Sequence, residues 1–279
     1  MRIKYTLLIL TALLAAGLVS CKKEEAEFSQ ENADKALPSQ ITVTHTKLYK
    51  MRDYKQQYYY DSENRLTRII TTYYTGKYDD KEKPGTVIYT EYKSLDYDQQ
   101  GRLIRDRTSK IYSEGSGSNS MRSTEFIHDG NTITVLYSGN EQLKSIIELD
   151  ANNRMTEYYE HYLGSPYLYS YSENGNIVRV NQKDATISLR YKYEYDLKYG
   201  INKNVNTPQW YFILFGEFYC KNNICNNQTT ESYFSIWGRE AISTFRYKYN
   251  SIRFPVSISE SMENKGTIRN TKIRYIKGN

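Results

Sequence analysis

A short polar interruption recurs along this chain, and each copy closes one aromatic run and opens another. The clearest copy lies in Tyr58-Tyr59-Tyr60-Asp61-Ser62-Glu63-Asn64-Arg65-Leu66-Thr67-Arg68-Ile69-Ile70. It returns as Leu95-Asp96-Tyr97-Asp98-Gln99-Gln100-Gly101-Arg102-Leu103-Ile104 and as Leu149-Asp150-Ala151-Asn152-Asn153-Arg154-Met155. A weaker version is Tyr169-Ser170-Tyr171-Ser172-Glu173-Asn174-Gly175-Asn176-Ile177-Val178. The Asp can accept backbone N–H bonds across a tight turn, and Asn or Gly tolerates the positive φ that the turn needs. Each unit reads as strand, turn, strand, so a chain that repeats it is committed to antiparallel hairpins.

Between the units, polarity alternates residue by residue. Ile41, Val43 and His45 alternate with Thr42, Thr44 and Thr46, as in a half-buried strand. A long strand is predicted over 86–97, and a hairpin joins 125–127 to 132–135 through His128-Asp129-Gly130-Asn131. Residues 187–196 divide cleanly. Ile187, Leu189, Tyr191, Tyr193 and Tyr195 share one face, while Ser188, Arg190, Lys192, Glu194 and Asp196 share the other. A lipid-facing barrel strand needs an apolar outer face, because a charge at bilayer depth costs about 2–4 kcal/mol. The charged face therefore places the sheet in water, and residues 245–250 repeat the division. Loops are expected at 76–85 and at the Gly/Ser-rich 113–120. The expected fold is all-β: a many-stranded antiparallel meander of about fifteen strands, strongly curved or barrel-like, with no amphipathic helix.

Thirty tyrosines stand against eight phenylalanines and two tryptophans. Tyr favours strands and covers a half-wet sheet face while its hydroxyl stays in water, so a sheet with much exposed area is expected. The net charge of +6 comes from 38 basic and 32 acidic residues spread without a dense block, which does not indicate nucleic-acid binding.

The first residues read as an address. Met1-Arg2-Ile3-Lys4 precedes an apolar run over 5–19 that is short for a membrane span and fits a secretory signal. Leu18-Val19-Ser20-Cys21 looks like a bacterial lipobox. The resemblance implies a signal peptide over 1–20 and lipid attachment at Cys21, whose acyl chains anchor the protein in the membrane. Lys22-Lys23-Glu24-Glu25 resembles the export tag that carries some Bacteroidota lipoproteins to the cell surface. A flexible tether is expected over 21–40, ending near Pro38, and a single β domain over 41–279.

Chemistry is sparse. Cys220 and Cys225 are separated by four residues, a hairpin-loop spacing, and paired strand positions suit a disulfide. A bridge there is worth about 2 kcal/mol. His45, His128 and His161 lack zinc-site spacing and stand in no nucleophile signature, and no phosphate-cradling glycine loop occurs, so no catalytic residue, metal site or cofactor is expected. Asp79, Asp80, Asp96 and Asp98 leave a glycosidase-like carboxylate pair open as an alternative. Trp210-Tyr211-Phe212-Ile213-Leu214-Phe215 opens the most apolar stretch after the signal. Two readings stand: a buried strand or short core helix, or an exposed ligand platform.

The unit Tyr97-Asp98-Gln99-Gln100-Gly101-Arg102-Leu103 resembles the YD repeats of RHS-type proteins. Most of the chain after Cys21 resembles Bacteroidota lipoproteins that carry a domain of unknown function with a porin-like β fold. The lipobox, the repeated turns, Tyr193-Glu194-Tyr195-Asp196 with Lys198, and Phe245-Arg246-Tyr247-Lys248-Tyr249 leading into Phe254-Pro255-Val256-Ser257-Ile258 carry that likeness. It implies a strongly curved antiparallel sheet and no known catalytic residues. The expected function is a lipid-anchored, surface-exposed outer-membrane binding module for a glycan or host polymer, with Trp210, Tyr211 and Trp237 as stacking rings. Two alternatives are an accessory subunit that pairs with an envelope protein through a sheet edge, and a hydrolase.

Overall fold

The computed structural model describes residues 28–46, 51–75, 85–113, 117–138, 143–162, 164–182, 190–215, 230–234, 239–262 and 266–279. The stretch expected to be a signal segment, Cys21, Asp79, Asp80, Cys220, Cys225 and Trp237 lie outside them, as do residues 187–189 of the strand predicted over 187–196.

Sixteen strands follow a six-residue 3-10 segment, kinked at Asn32, at Gln30–Lys35. They are β1 (Ala36–His45), β2 (Tyr54–Tyr60), β3 (Leu66–Tyr74), β4 (Val87–Tyr97), β5 (Leu103–Tyr112) and β6 (Ser120–Asp129). Next come β7 (Thr132–Tyr137), β8 (Lys144–Leu149), β9 (Met155–Tyr159), β10 (Tyr167–Tyr171), β11 (Ile177–Gln182) and β12 (Arg190–Tyr193). A short helix, α1 (Gln209–Phe215), precedes β13 (Thr230–Phe234), β14 (Arg239–Tyr249), β15 (Pro255–Met262) and β16 (Gly266–Lys277). Every neighbouring pair is antiparallel, and β1 closes the ring by pairing with both β2 and β16. The meander is thus a closed barrel. Among the described strands none has an edge to offer, so a partner is not added there by extending the sheet.

The repeated turns explain one end of the barrel. In three of them an Asp Oδ1 accepts two backbone N–H groups, from Glu63 and Arg65 at Asp61, from Gln100 and Arg102 at Asp98, and from Asn152 and Arg154 at Asp150. The other oxygen takes the Nε of Arg65, Arg102 or Arg154, each at 2.7 Å. The left-handed position falls to Asn64 (φ 60°), Gly101 (76°), Asn153 (57°) and Gly175 (79°), as the spacing requires. A fifth copy escaped notice in the sequence. Asn250 replaces the Asp, its Oδ1 accepting the Phe254 N–H, and Arg253 occupies the left-handed position at φ 72°.

In all five copies the register shifts beside the turn, with one extra residue on the strand that leaves it: Thr67, Ile104, Thr156, Val178 and Val256 are passed over, opposite the steps into Tyr60, Tyr97, Leu149, Tyr171 and Tyr249. The tyrosines turn inward and clasp the hairpin before. Tyr60 donates to the Pro38 carbonyl, Tyr97 to Leu66, Tyr171 to Met155, Tyr195 to Ile177 and Tyr275 to Pro255, at 2.7–2.9 Å. His128 takes the same place opposite the Leu103 carbonyl at 2.8 Å, which requires its Nε2 to be the donor. Arg65 lies 4.9 Å over the Tyr97 ring, and Arg154 the same distance over Tyr171, so the arginine of one turn packs on the tyrosine of the next. This corrects the expectation that the tyrosine hydroxyls stay in water: at these five positions the hydroxyl satisfies a carbonyl that a phenylalanine could not.

The outer wall carries exposed charge on strands all round the ring, including Arg68, Arg107, Glu125, Lys144, Arg179, Arg246, Lys248 and Lys272. At about 2–4 kcal/mol per cation against acyl chains, such a wall stands in water. No helix among the described residues is long and apolar enough to cross a membrane.

Two boundaries differ from expectation. β1 starts at Ala36, which is 0 % exposed, and pairs Ala36 with Lys277, so the folded domain begins before residue 41 and the tether is shorter than 21–40. Pro38, read as a linker residue, sits where the β1 register shifts, a position that spares the ladder a missing donor. β12 ends at Tyr193, leaving Glu194, Tyr195 and Asp196 beyond the ladder, where Tyr195 and Asp196 serve the rim instead.

Candidate functional site

The described part of the connection after β12 turns into the barrel. Residues 199–215 fold inward at the turn end as a plug. Thr207 Oγ1 accepts the Leu66 N–H and meets the Tyr97 hydroxyl, both at 2.9 Å, while the Asn206 N–H donates to the Asn64 carbonyl. Pro208 introduces α1, which after Gln209 is apolar on every side; Gln209, Trp210, Tyr211 and Phe212 are buried and Ile213, Leu214 and Phe215 half-buried. Phe126 of β6 packs edge-on to Trp210 and Tyr211, with ring centroids 5.0 and 6.2 Å apart. The Tyr211 hydroxyl donates to Asp106 of β5, which also accepts from Thr108, and Lys93 of β4 reaches both Asp106, at 3.5 Å, and the Phe215 carbonyl. Burial first, and the Asp106 carboxylate second, push the Tyr211 hydroxyl well above its ordinary pKa. It is a proton donor at all ordinary pH.

This placement decides between the two readings of the apolar stretch. Trp210 is 2 % and Tyr211 0 % exposed, so neither ring offers a face to a sugar in solution. They form the core helix, and the stacking platform assigned to them is corrected.

Aromatic surface instead lines the inner wall toward the other end of the barrel, where the longer loops lie. Tyr54, Tyr73, Tyr89 and Tyr112 are direct cross-strand neighbours on β2, β3, β4 and β5. Their ring centroids are 5.6, 4.4 and 5.1 Å apart in sequence order, with Tyr73 stacked on Tyr89. Lys110 Nζ sits 4.5 Å and the Arg52 guanidinium 5.5 Å from the Tyr89 centroid. Glu91, two residues below Tyr89, faces Lys110 at 3.9 Å. Tyr73 and Tyr112 are half-buried and Arg52 is exposed, so the ladder shows ring edges, hydroxyls and a cation to solvent. No signal in the sequence marks these four as a set, because their alignment depends on the registers of three ladders.

A second cluster joins Tyr137, Ser145, Tyr158 and His161. Ser145 Oγ lies 3.4 Å from His161 Nδ1, and the two tyrosine hydroxyls are 3.5 Å apart. The sequence did not suggest this serine–histidine pair. Ser145 is fully buried, so its oxygen is not presented to a substrate. Among the carboxylates read from the sequence, Asp96 is paired with Arg107 at 2.7 Å on the outer wall and Asp98 is held by its turn. No group of three or more metal-ligating side chains occurs among the described residues.

No family model matches the chain, and no curated protein matches it. Similar solved structures include a porin-like protein from Bacteroides uniformis, with a TM-score of 0.40 and 10% identity over 86% of this chain and 97% of that one. A porin-like protein from Bacteroides vulgatus gives a TM-score of 0.43 and 12% identity over 84% of this chain and 97% of that one. The solved structures that this chain resembles are thus porin-like proteins from Bacteroides.

Proposed function

We propose that the chain is a lipid-anchored envelope protein whose barrel binds, rather than transforms, a hydroxyl-rich ligand such as a glycan at the inner wall of its loop end. The observation that carries this reading is the Tyr54–Tyr73–Tyr89–Tyr112 ladder with Arg52 and Lys110 beside it. Tyrosine edges and hydroxyls suit a sugar, whose C–H faces need apolar contact and whose hydroxyls need partners. The cations suit an acidic or sulfated sugar further. The lipobox at Cys21 supports the anchoring, and the resemblance of Lys22-Lys23-Glu24-Glu25 to a surface-export tag supports an outer-membrane address exposed at the cell surface.

A glycan array probed with the full-length chain in detergent tests the reading. Binding to a defined subset is expected, weakened about tenfold or more by Tyr73→Ala or Tyr112→Ala. Silence across plant, host and microbial glycans overturns it.

A further inference from the structure

The chain before Phe28 leaves the barrel at the turn end. Phe28 packs against the core, and Gln30–Lys35 feeds directly into β1 with Ala33 and Ala36 buried. Seven peptide steps separate Cys21 from Phe28, a reach of about 25 Å at most. The eleven residues of β4 alone extend about 36 Å along the strand. At the tilt of about 35–45° that barrel strands take, that is about 25–30 Å along the axis, so a lipid on Cys21 holds the loop end near the membrane only with its tether fully stretched.

Beside the point where the chain enters lies a surface fitted to lipid headgroups. Leu197 is 74 % exposed, although it is a large apolar residue on an otherwise polar rim. Arg253 Nη2 donates to its carbonyl at 2.7 Å, and Lys203 and Arg253 lie 3.4 and 5.8 Å from the Tyr199 ring centroid. Lys198 follows directly. Asn204 Nδ2 donates to the carbonyls of Ala33 and Ala36 at 2.8 and 3.0 Å, which ties this patch to the start of β1. Asp196 is engaged by the Tyr249 hydroxyl and the Lys198 N–H; the exposed acids nearby are Glu194 and, on the 3-10 segment before β1, Glu31 and Asp34. An apolar tip ringed by cations is the pattern of an interfacial contact with anionic lipid.

We propose that the turn end docks on an anionic lipid surface through Leu197, Lys198, Lys203 and Arg253, so that the tyrosine-lined loop end faces away from the membrane. The inference rests on the anchoring of Cys21. It is tested with the full-length acylated chain on phosphatidylethanolamine–phosphatidylglycerol vesicles containing a headgroup spin-labelled lipid. A fluorescent amino acid is placed in turn at Ser251 in the rim, at Glu125 on the outer wall and at Tyr162 at the loop end. Quenching should be strong at 251, weak at 125 and absent at 162, and Leu197→Glu should reduce the signal at 251. Equal quenching at all three positions, or stronger quenching at 125, overturns the docking. Mass spectrometry of the intact chain separates the two ideas: an acylated chain without rim quenching refutes the orientation alone, whereas a chain without acyl groups refutes the anchoring beneath it.

Discussion

Replacing rim tyrosines by phenylalanine isolates the hydroxyl that joins neighbouring hairpins. Tyr97, Tyr171 and Tyr275 each donate to a backbone carbonyl of the preceding hairpin, at 2.9, 2.7 and 2.9 Å. Phenylalanine keeps the ring contacts, among them the edge-on packing of Tyr275 on Phe254 at 5.4 Å. What is lost is the bond to the carbonyl, and at Tyr97 also the contact with Thr207 Oγ1, each hydrogen bond worth about 0.5–1.5 kcal/mol net and about 1–3 kcal/mol where the carbonyl is left dry. The three sites share no partner and lie at least four strands apart, or roughly 19 Å around the ring, so their losses should add. With an m-value of about 3 kcal/mol/M, each variant should lower the urea midpoint by about 0.3 M and the triple variant by about 1 M. Tyr159→Phe is the control, because its exposed hydroxyl meets only Glu157 on the outer wall and its removal should cost under about 0.5 kcal/mol. A triple variant that unfolds within about 0.1 M of the parent, or no earlier than the Tyr159 control, refutes the clasp.

Alkaline titration tests the same interior from another side. Burial holds the hydroxyls of Tyr60, Tyr97, Tyr211 and Tyr275 above their ordinary pKa. Their contribution is therefore full below about pH 10, where an unfolded tyrosine ionises, and is lost as pH rises beyond it. The urea midpoint should fall steadily above that pH, and a flat profile contradicts the burial. At the acid end, desolvation works upward on Asp61 and Asp150 but is outweighed by the arginine and backbone hydrogen bonds, which lower both. Their stabilisation is present above about pH 3.9 and lost as pH falls further, so an Asp61→Asn, Asp150→Asn variant should show a shallower acid slope than the parent. Gly101→Ala should cost about 1–2 kcal/mol, because alanine at φ 76° is strained and its Cβ meets Arg65 Nη1 at 3.1 Å, while Asn153→Gly should leave the thermal midpoint unchanged or raise it.

The hairpins were legible because each turn is local chemistry. Asp61, Asp98 and Asp150 bond to residues two and four positions on, so the sequence spacing contains the geometry. Asn250 with Arg253 hid a fifth copy, since nothing in a bare arginine announces a left-handed backbone. Closure was not legible, because the pairing of Ala36 with Lys277 joins the two ends of the fold. The inward turn of the rim tyrosine hydroxyls was missed for a related reason. Alternation says which residues share a face and leaves open which face looks inward. Trp210 and Tyr211 were singled out for their chemistry, yet a helix that is apolar on every side has to be covered, and the barrel supplied the cover. The Tyr54–Tyr112 row arises only when four strands are set in register.

Hydrogen–deuterium exchange of the β1 amides tests the closed barrel most directly. Residues Gln40 to Val43 pair with β2 on one side and with β16 on the other, so no consecutive pair of their N–H groups faces water. The account predicts that β1 and the partnered stretch of β16 exchange as slowly as β3 and β4 in the middle of the wall. Alternate amides of β1 or β16 that exchange within seconds would show an open edge and contradict it.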